Sequence, residues 1–344
     1  MNKKVIVGMS GGIDSSVTAY LLQQEGYEVV GVYMKLHNIV EGYHEKNIES
    51  GKKVADSLGI EYHILDLNDK FKKEVYDYFV SEYIKGKTPN PCVKCNRTIK
   101  FGALLDFARE QGAELLATGH YVKTDGEFIY EAEDETKDQS YFLAQIKQDV
   151  LKHLIFPMDK YKKTDIIKLG STLPAIKEIA QNKESQEICF VENVYTDVIE
   201  KHTNIDLPGK VLDADGNEVG THKGYMHYTI GKRKGFTVNG AHEPHFVKEI
   251  NPDTNTLVVC KKEDLGVSKV LIDTLNLFID KTEFECTVRL RYRTHKVSCK
   301  VLIKDNEAII TLDNKVDGVA AGQVAVFYDD NKVLGSGFIK ETFE

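Results

Sequence analysis

Two segments of this 344-residue chain combine residue types and spacings that could do chemistry. The first is Ser10-Gly11-Gly12-Ile13-Asp14-Ser15, between a short apolar run and an amphipathic one. A glycine turn leading from a strand into a helix offers backbone N–H groups to an anion, with the helix dipole adding to the attraction. Ser10 and Ser15 supply hydroxyl donors. The bland alternative is an ordinary strand-to-helix turn with Asp14 or Ser15 near the N-cap, but the complete hexapeptide in this place favours phosphate. Two better-known phosphate motifs fail here. No lysine follows the loop as a Walker sequence requires. Gly86-Lys87-Thr88 resembles the end of one, but Ser81 stands where its first glycine belongs, and no GxGxxG fingerprint opens the chain.

The second segment is Thr88-Pro89-Asn90-Pro91-Cys92-Val93-Lys94-Cys95-Asn96. Pro89 and Pro91 lack a backbone donor and push their predecessors toward extended geometry. Cys92 and Cys95 are therefore expected on a loop just before a helix opening near Ile99. With Lys94 and Arg97 close in sequence, their thiols are expected to have lowered pKa and to be nucleophilic. A closed structural zinc site needs four ligands, and no second CxxC occurs; Cys260, Cys286 and Cys299 lie in strand-like runs and read as packing residues. Cys189, in Lys183-Glu184-Ser185-Gln186-Glu187-Ile188-Cys189-Phe190, reads in isolation as a buried strand cysteine.

These segments need a scaffold, and the pattern of the chain supplies one. Residues 3–9, 27–34, 60–67 and 113–118 read as strands; residues 14–25, 46–58, 71–84 and 99–110 read as helices. Such alternation implies a doubly wound parallel sheet, which binds ligands beyond the carboxyl ends of its strands. After about residue 205 the strands crowd together. A small central module spans 205–270, and from Leu271 to Phe343 alternating runs without a helix predict a C-terminal antiparallel β-barrel. The expected domains are 1–204, 205–270 and 271–344.

Composition bounds the function. Apolar residues make up 42% and charged residues 28%, a globular balance. No apolar stretch approaches the roughly 20 residues of a membrane span, and no signal-peptide pattern precedes the first strand, so the expectation is a cytoplasmic protein without a membrane partner. Net charge is −8, yet residues 221–304 hold 15 Lys+Arg against 9 Asp+Glu. Three of the six arginines are Arg289, Arg291 and Arg293. If TVRLRYR is a strand, its period of two puts all three on one face, either a solvated edge or a surface for nucleic-acid phosphates.

The SGGxDS loop after the first strand resembles the PP-loop ATP pyrophosphatases, which split ATP into AMP and pyrophosphate. That resemblance implies ATP on the loop with magnesium beside it, and Asp14 helping to place the metal. On such a domain Cys189 reads differently: an activated carbonyl needs a nucleophile, and two mobile cysteines suit persulfide transfer, one carrying sulfur and the other releasing it as a disulfide. In order, GMSGGIDSSV, TPNPCVKCN, IKFGALL, ATGHYV, KDQSYFL, ESQEICF, IGKRKG, RLRYR and AGQVAVFY make the chain similar to the bacterial tRNA-specific 2-thiouridylases from Lys3 to about Phe338.

The family likeness implies transfer of sulfur to C2 of the wobble uridine in tRNAs for Lys, Glu and Gln, by adenylation of the C2 oxygen. Carried over by motif, Gly8, Met9, Ser10, Gly11, Gly12, Ile13, Asp14 and Ser15 would bind ATP, with Met34 and Gly119 lining the adenosine pocket. Cys95 matches the nucleophile and Cys189 the persulfide carrier, the two forming a transient disulfide. Asn90, Pro91 and Cys92 fall where the family meets the target base. His120, Lys137, Asp138, Gln139, Arg291, Tyr292 and Gln323 match tRNA-contacting positions. A sulfur-relay protein or a cysteine desulfurase would be the donor. Many members carry Asp where this chain has Cys92. Two readings of that departure stand: a spare redox thiol, or a 4Fe-4S cluster ligated by Cys92, Cys95 and Cys189 with one open iron. A PP-loop ligase with another acceptor and a non-catalytic RNA-binding module are the rival functions.

Overall fold

The computed structural model describes residues 3–179 and 188–344; residues 183–187 of the Cys189 motif lie outside them. The chain forms two compact units. The first comprises Met1–Val75, Cys92–Phe190 and Asp330–Leu334.

Its centre is a five-stranded sheet of β1 (Lys4–Gly8), β2 (Glu28–Lys35), β3 (Glu61–Asp66), β4 (Leu115–Thr118) and β5 (Leu154–Ile155), in the order β3-β2-β1-β4-β5. Every pairing is parallel, as the strand–helix alternation predicts. Val5, Ile6 and Val7 on β1 have no solvent exposure, which is why this strand reads as a continuous apolar run rather than an alternating one.

Helix α1 (Ile13–Gln24) crosses from β1 to β2, and α2 (Tyr43–Leu58) crosses from β2 to β3. Val17, Ala19 and Leu22 of α1 join Val5, Val7 and Val54 in one core cluster. Gly26 ends α1 at φ +86°, where Tyr27 N–H donates to Leu22 O and Gly26 N–H to Gln23 O. This left-handed stop satisfies the last carbonyls and turns the chain into β2. The third sheet step reverses direction, since β4 returns to the other side of β1. Gly8 and Thr118 are register partners there, so the segments leaving β1 and β4 emerge side by side at the switch point.

The second unit comprises Tyr76–Pro91, Val191–Asp329 and Gly335–Glu344. It holds a four-stranded sheet ordered Phe246–Asn251, Thr256–Cys260, Gly209–Leu212, Glu218–His222. Its Gly209–Leu212/Glu218–His222 hairpin turns where Asp213 accepts from the N–H groups of Asp215 and Asn217. Six antiparallel strands follow, ordered Val267–Leu277, Glu307–Val316, Val297–Lys304, Glu283–Arg289, Val324–Asp329, Lys332–Phe343. The first and last of them pair and close the barrel. Closure removes the unpaired edges that an open sheet would expose.

One expectation fails in the barrel. The strand containing Arg289 ends at that residue, and Arg291 and Arg293 lie in the loop that follows. The ladder stops at the Arg289–Val326 pair, and Arg291 O instead accepts from Thr294 N–H and Oγ1 in a turn. The three arginines therefore do not share a strand face. Among the described residues, no helix is long and apolar enough to cross a membrane.

Candidate functional site

The phosphate loop lies between β1 and α1. Gly12 is the N-cap of α1 in extended conformation and gives no side-chain cap to the helix, so the first-turn N–H groups have no capping side chain competing with an anion. The loop holds its own shape. Ser15 Oγ accepts from Ser10 N–H at 3.1 Å and lies 3.3 Å from Ser10 Oγ, while Ser15 and Ser16 hydroxyls donate to Gly12 O. Two glycines are sterically required. Gly11 sits at φ +80°, where a Cβ would lie 2.6 Å from Asn47 O; at Gly119, just past β4, a Cβ would lie 2.8 Å from Ser15 N. Any side chain at Gly119 would push into the first turn of α1. Met9 is buried and Met34, near the end of β2, is half-buried.

Asp14 has a partner that the sequence does not advertise. Lys163 Nζ lies 2.7 and 2.8 Å from its two carboxylate oxygens, and Tyr121 OH donates to Oδ1 at 2.9 Å. Lys163 is 8% exposed and stands 149 positions away in sequence, so only tertiary structure reveals the pair. The same bonds engage both oxygens that would otherwise place a magnesium ion.

The cysteines do not sit on a loop. The helix begins at Pro91 and takes in both Cys92 and Cys95. Proline is tolerated at a first helical position because the N–H it lacks would have no intrahelical partner there. From Asn96 to Ala103 the helix widens to π geometry before regular α structure resumes at Leu104, a distortion frequent at functional sites. Asn96 and Arg97 anchor the widened turn: Asn96 Nδ2 donates to Phe142 O at 3.0 Å and an Arg97 N–H to Gln145 Oε1 at 2.5 Å.

The expected low thiol pKa values are also overturned. Burial pushes the Cys95 thiol up to about 11, against the pull of Lys100 and with a further push from Cys92. Burial raises Cys92 as well, again opposed by Lys100. Cys189 is raised first by burial, then by Cys95 and Cys92, with Lys100 opposing. As a residue Cys189 is exposed, and its thiol is within electrostatic range of the other two. The structure thus brings the three predicted cysteines into one neighbourhood, and it adds Lys100, whose ammonium acts on all three.

Lys94 and Arg97 do not supply the cationic influence; Lys100, five residues beyond Cys95 on the widened helix, does. Its Nζ also lies 3.4 Å from His120 Nε2, and His120 Nδ1 is 2.7 Å from Thr118 Oγ1. Burial, then Lys100, hold the His120 pKa well below the ordinary value, so the ring is neutral at pH 7. A continuous connection results: the first turn of α1 abuts Gly119, the next residue His120 meets Lys100, and Lys100 acts on the thiols.

The segment bearing Cys189 is packed through rings. Phe190 meets Phe71 edge-on at 5.7 Å, Phe71 lies 6.0 Å from His37, and His37 stacks on Tyr43 at 5.3 Å. Among the described residues neither ring nitrogen of His37 completes a hydrogen bond, although the Cys189 backbone is near enough to oppose the burial that lowers its pKa to about 4.

The remaining predicted residues divide. Asp138 is buried and accepts from Ala132 N–H, Ser140 N–H and Ser140 Oγ, and Gln139 Oε1 accepts from Tyr121 N–H. Both side chains shape their own loop; Lys137 is half-buried beside them. In the second unit Asn90 is buried, and Gln323 Nε2 donates to Thr88 O at 2.8 Å while Thr88 N–H donates to Ala321 O, fixing the start of the TPNP segment. Arg291 is exposed and Tyr292 half-buried. Arg291 borders an open cavity of about 430 Å³ with Lys232, Lys262, Gly231, Gly318 and Asp317. Three cations against one carboxylate make this a basic cleft.

A parallel sheet whose switch point carries an uncapped helix start behind a glycine loop defines a nucleotide-binding domain of the HUP class. Family models agree in segment order: the tRNA methyl transferase HUP domain matches residues 3–193, the tRNA methyl transferase PRC-barrel domain 196–261 and the aminomethyltransferase beta-barrel domain 267–339. The chain is 63% identical over 341 residues to tRNA-specific 2-thiouridylase MnmA 1 of Aliarcobacter butzleri (strain RM4018), covering 99% of each. It is 53% identical to tRNA-specific 2-thiouridylase MnmA of Sulfurimonas denitrificans, covering 99% of this chain and 100% of that one. For the same-named protein of Campylobacter jejuni serotype O:6 the identity is 54%, with coverage of 98% and 100%. The chain belongs to the tRNA-specific 2-thiouridylase family.

Proposed function

We propose that the protein uses ATP to replace the C2 oxygen of the wobble uridine in tRNA Lys, Glu and Gln with sulfur carried on Cys189. The observation that supports this reading best is the connection from the phosphate loop through Gly119, His120 and Lys100 to three thiols. It puts phosphate chemistry and sulfur chemistry on one unit.

The loop N–H groups and the start of α1 bind the phosphates of ATP as substrate. Uridine O2 attacks the α-phosphate, the bond to the β-phosphate breaks and pyrophosphate leaves. The oxygen, a poor leaving group by itself, then departs with AMP. To reach the site the base leaves its stack, as base-modifying chemistry generally requires. The terminal sulfur of a Cys189 persulfide adds to C2. Cys95 attacks the inner Cys189 sulfur, the S–S bond to the transferred atom breaks and AMP is expelled. The product is 2-thiouridine with a Cys95–Cys189 disulfide, which a two-electron thiol reductant resets. A cysteine desulfurase or a sulfur-relay protein recharges Cys189.

Lys100 lowers the cost of a thiolate in this buried place, and the neutral His120 accepts its hydrogen bond. In this reading Asn90, Pro91 and Cys92 are assigned to the target base, and His120, Lys137, Asp138, Gln139, Arg291, Tyr292 and Gln323 to tRNA contact. The three-part division at 204 and 270 remains the working description of these roles, in a cytoplasmic protein.

Both carboxylate oxygens of Asp14 are engaged by Lys163, so Asp14 does not fit the role of a magnesium ligand. Among the described residues no three His, Cys, Asp or Glu side chains are grouped as metal ligands are. The reading therefore gives Cys95 and Cys189 persulfide and disulfide chemistry and leaves Cys92 as a spare thiol.

The test is nucleoside mass spectrometry of tRNA incubated with ATP and a persulfide donor. Wild-type protein is expected to form 2-thiouridine and Cys189→Ser protein none. Wild-type rate in Cys189→Ser would remove the carrier assignment. AMP release without sulfur incorporation would favour a ligase with another acceptor.

A further inference from the structure

The barrel holds a second pair of thiols that the sulfur-transfer reading does not use. Cys286 and Cys299 are register partners on the antiparallel strands Glu283–Arg289 and Val297–Lys304, and their Sγ atoms are 3.6 Å apart. Both are free thiols. Directly opposed residues of an antiparallel pair have Cα atoms about 4.5–5.5 Å apart, inside the range of about 4.4–6.8 Å that a disulfide spans. The two sulfurs would close to a bond of about 2.05 Å by side-chain motion, with the ladder on both sides intact. The pair is asymmetric: Cys286 is half-buried and Cys299 is 3% exposed. It also sits midway along the hairpin, with two register pairs between it and the loop that carries Arg291, Tyr292 and Arg293.

We propose that Cys286 and Cys299 form a non-catalytic oxidation site, at which a peroxide converts the cross-strand dithiol to a disulfide that clamps the two strands leading into this basic loop. Cys286, the more accessible thiol, gives up its proton and attacks one peroxide oxygen. The O–O bond breaks, the other oxygen leaves as water and Cys286 becomes a sulfenic acid. Cys299 sulfur then attacks Cys286 Sγ, the S–O bond breaks, the Cys299 proton leaves with the hydroxyl as a second water, and the S–S bond forms. The dithiol loses two electrons and one peroxide gains them. A small dithiol such as dithiothreitol reverses the change. The hydrogen bond to Cys299 and burial raise the Cys286 pKa.

Peptide mapping tests this on the full chain. Cleavage after Lys281, Arg289, Lys296 and Lys300 places the two cysteines on separate peptides, 282–289 and 297–300. After hydrogen peroxide and alkylation of remaining thiols, these peptides are expected joined, lighter by two hydrogen atoms and separated again by dithiothreitol. In Cys299→Ser protein, dimedone should label Cys286. Hydrogen exchange of residues 290–296 should slow in the oxidised wild-type protein. Full alkylation of both cysteines at peroxide doses that oxidise Cys189 would overturn the proposal. So would a sulfenic acid on Cys299 in place of Cys286, or unchanged exchange at the hairpin tip in protein shown to be crosslinked. The wild-type map needs no variant, so a folding defect in Cys299→Ser would leave the main test standing.

Discussion

The first unit and the barrel each bring cysteines together, and they treat them differently. Around Cys92, Cys95 and Cys189 stands one ammonium, Lys100, which opposes the burial that raises all three. Around Cys286 stand Cys299 and the carboxylate of Asp329, and every influence raises its pKa. Proximity of sulfur atoms is thus common to both regions. The distinguishing features are a cation beside the thiols and, on the same unit, a phosphate loop reached through Gly119 and His120. Reactivity at these cysteines is a property of the surroundings more than of the CxxC spacing.

Removing the sulfurs should separate the two regions most sharply. Cys189→Ser or Cys95→Ser is expected to lower 2-thiouridine formation by about 10³-fold or more, since each removes a group that bonds to the transferred sulfur or its carrier. Cys286→Ser should stay within about twofold of wild type. Equal losses in both regions would erase the distinction.

The cation comes next. Lys100→Met should slow alkylation of Cys95 by about tenfold, the effect of roughly one pKa unit, and leave Cys260 alkylation unchanged. The pH dependence follows in sign. Because the folded Cys95 pKa is raised to about 11, its thiolate fraction at pH 7 is about one in 10⁴, and its alkylation rate should rise about tenfold per pH unit from 7 to 10. A plateau near pH 8 would mean that the thiol is ordinary. The smallest expected effect lies in the basic cleft. Replacing Lys232, Lys262 and Arg291 by Ala should lower the slope of log affinity for tRNA against log salt by about one for each phosphate that these cations neutralise; an unchanged slope would place the phosphates elsewhere.

Much of this is legible in the residues. The alternation of strand and helix patterns predicts the parallel sheet, and Gly11 and Gly119 fall where the sheet's switch point demands close approach. The barrel is legible from Leu271 onward, four residues after its first strand begins at Val267. Other features are not. Pro91 suggests extended chain but opens a helix, because a proline's missing donor costs nothing at the first position. The Arg289–Arg293 alternation suggests a strand face, but the barrel ladder stops midway through it. The Asp14–Lys163 pair spans 149 positions, a distance over which no local pattern operates. Lys100 is in view within IKFGALL, but its action on the thiols depends on the widened helix, which residue spacing alone does not announce.

The central claim is that breaking ATP and placing sulfur are steps of one reaction. Its most direct test is the ratio of AMP released to 2-thiouridine formed when wild-type protein turns over tRNA with ATP and a persulfide donor. The account predicts one AMP for each thiolated uridine, with neither product appearing when tRNA is withheld. Thiolated uridine formed without AMP, or AMP that never accompanies it, would contradict the account.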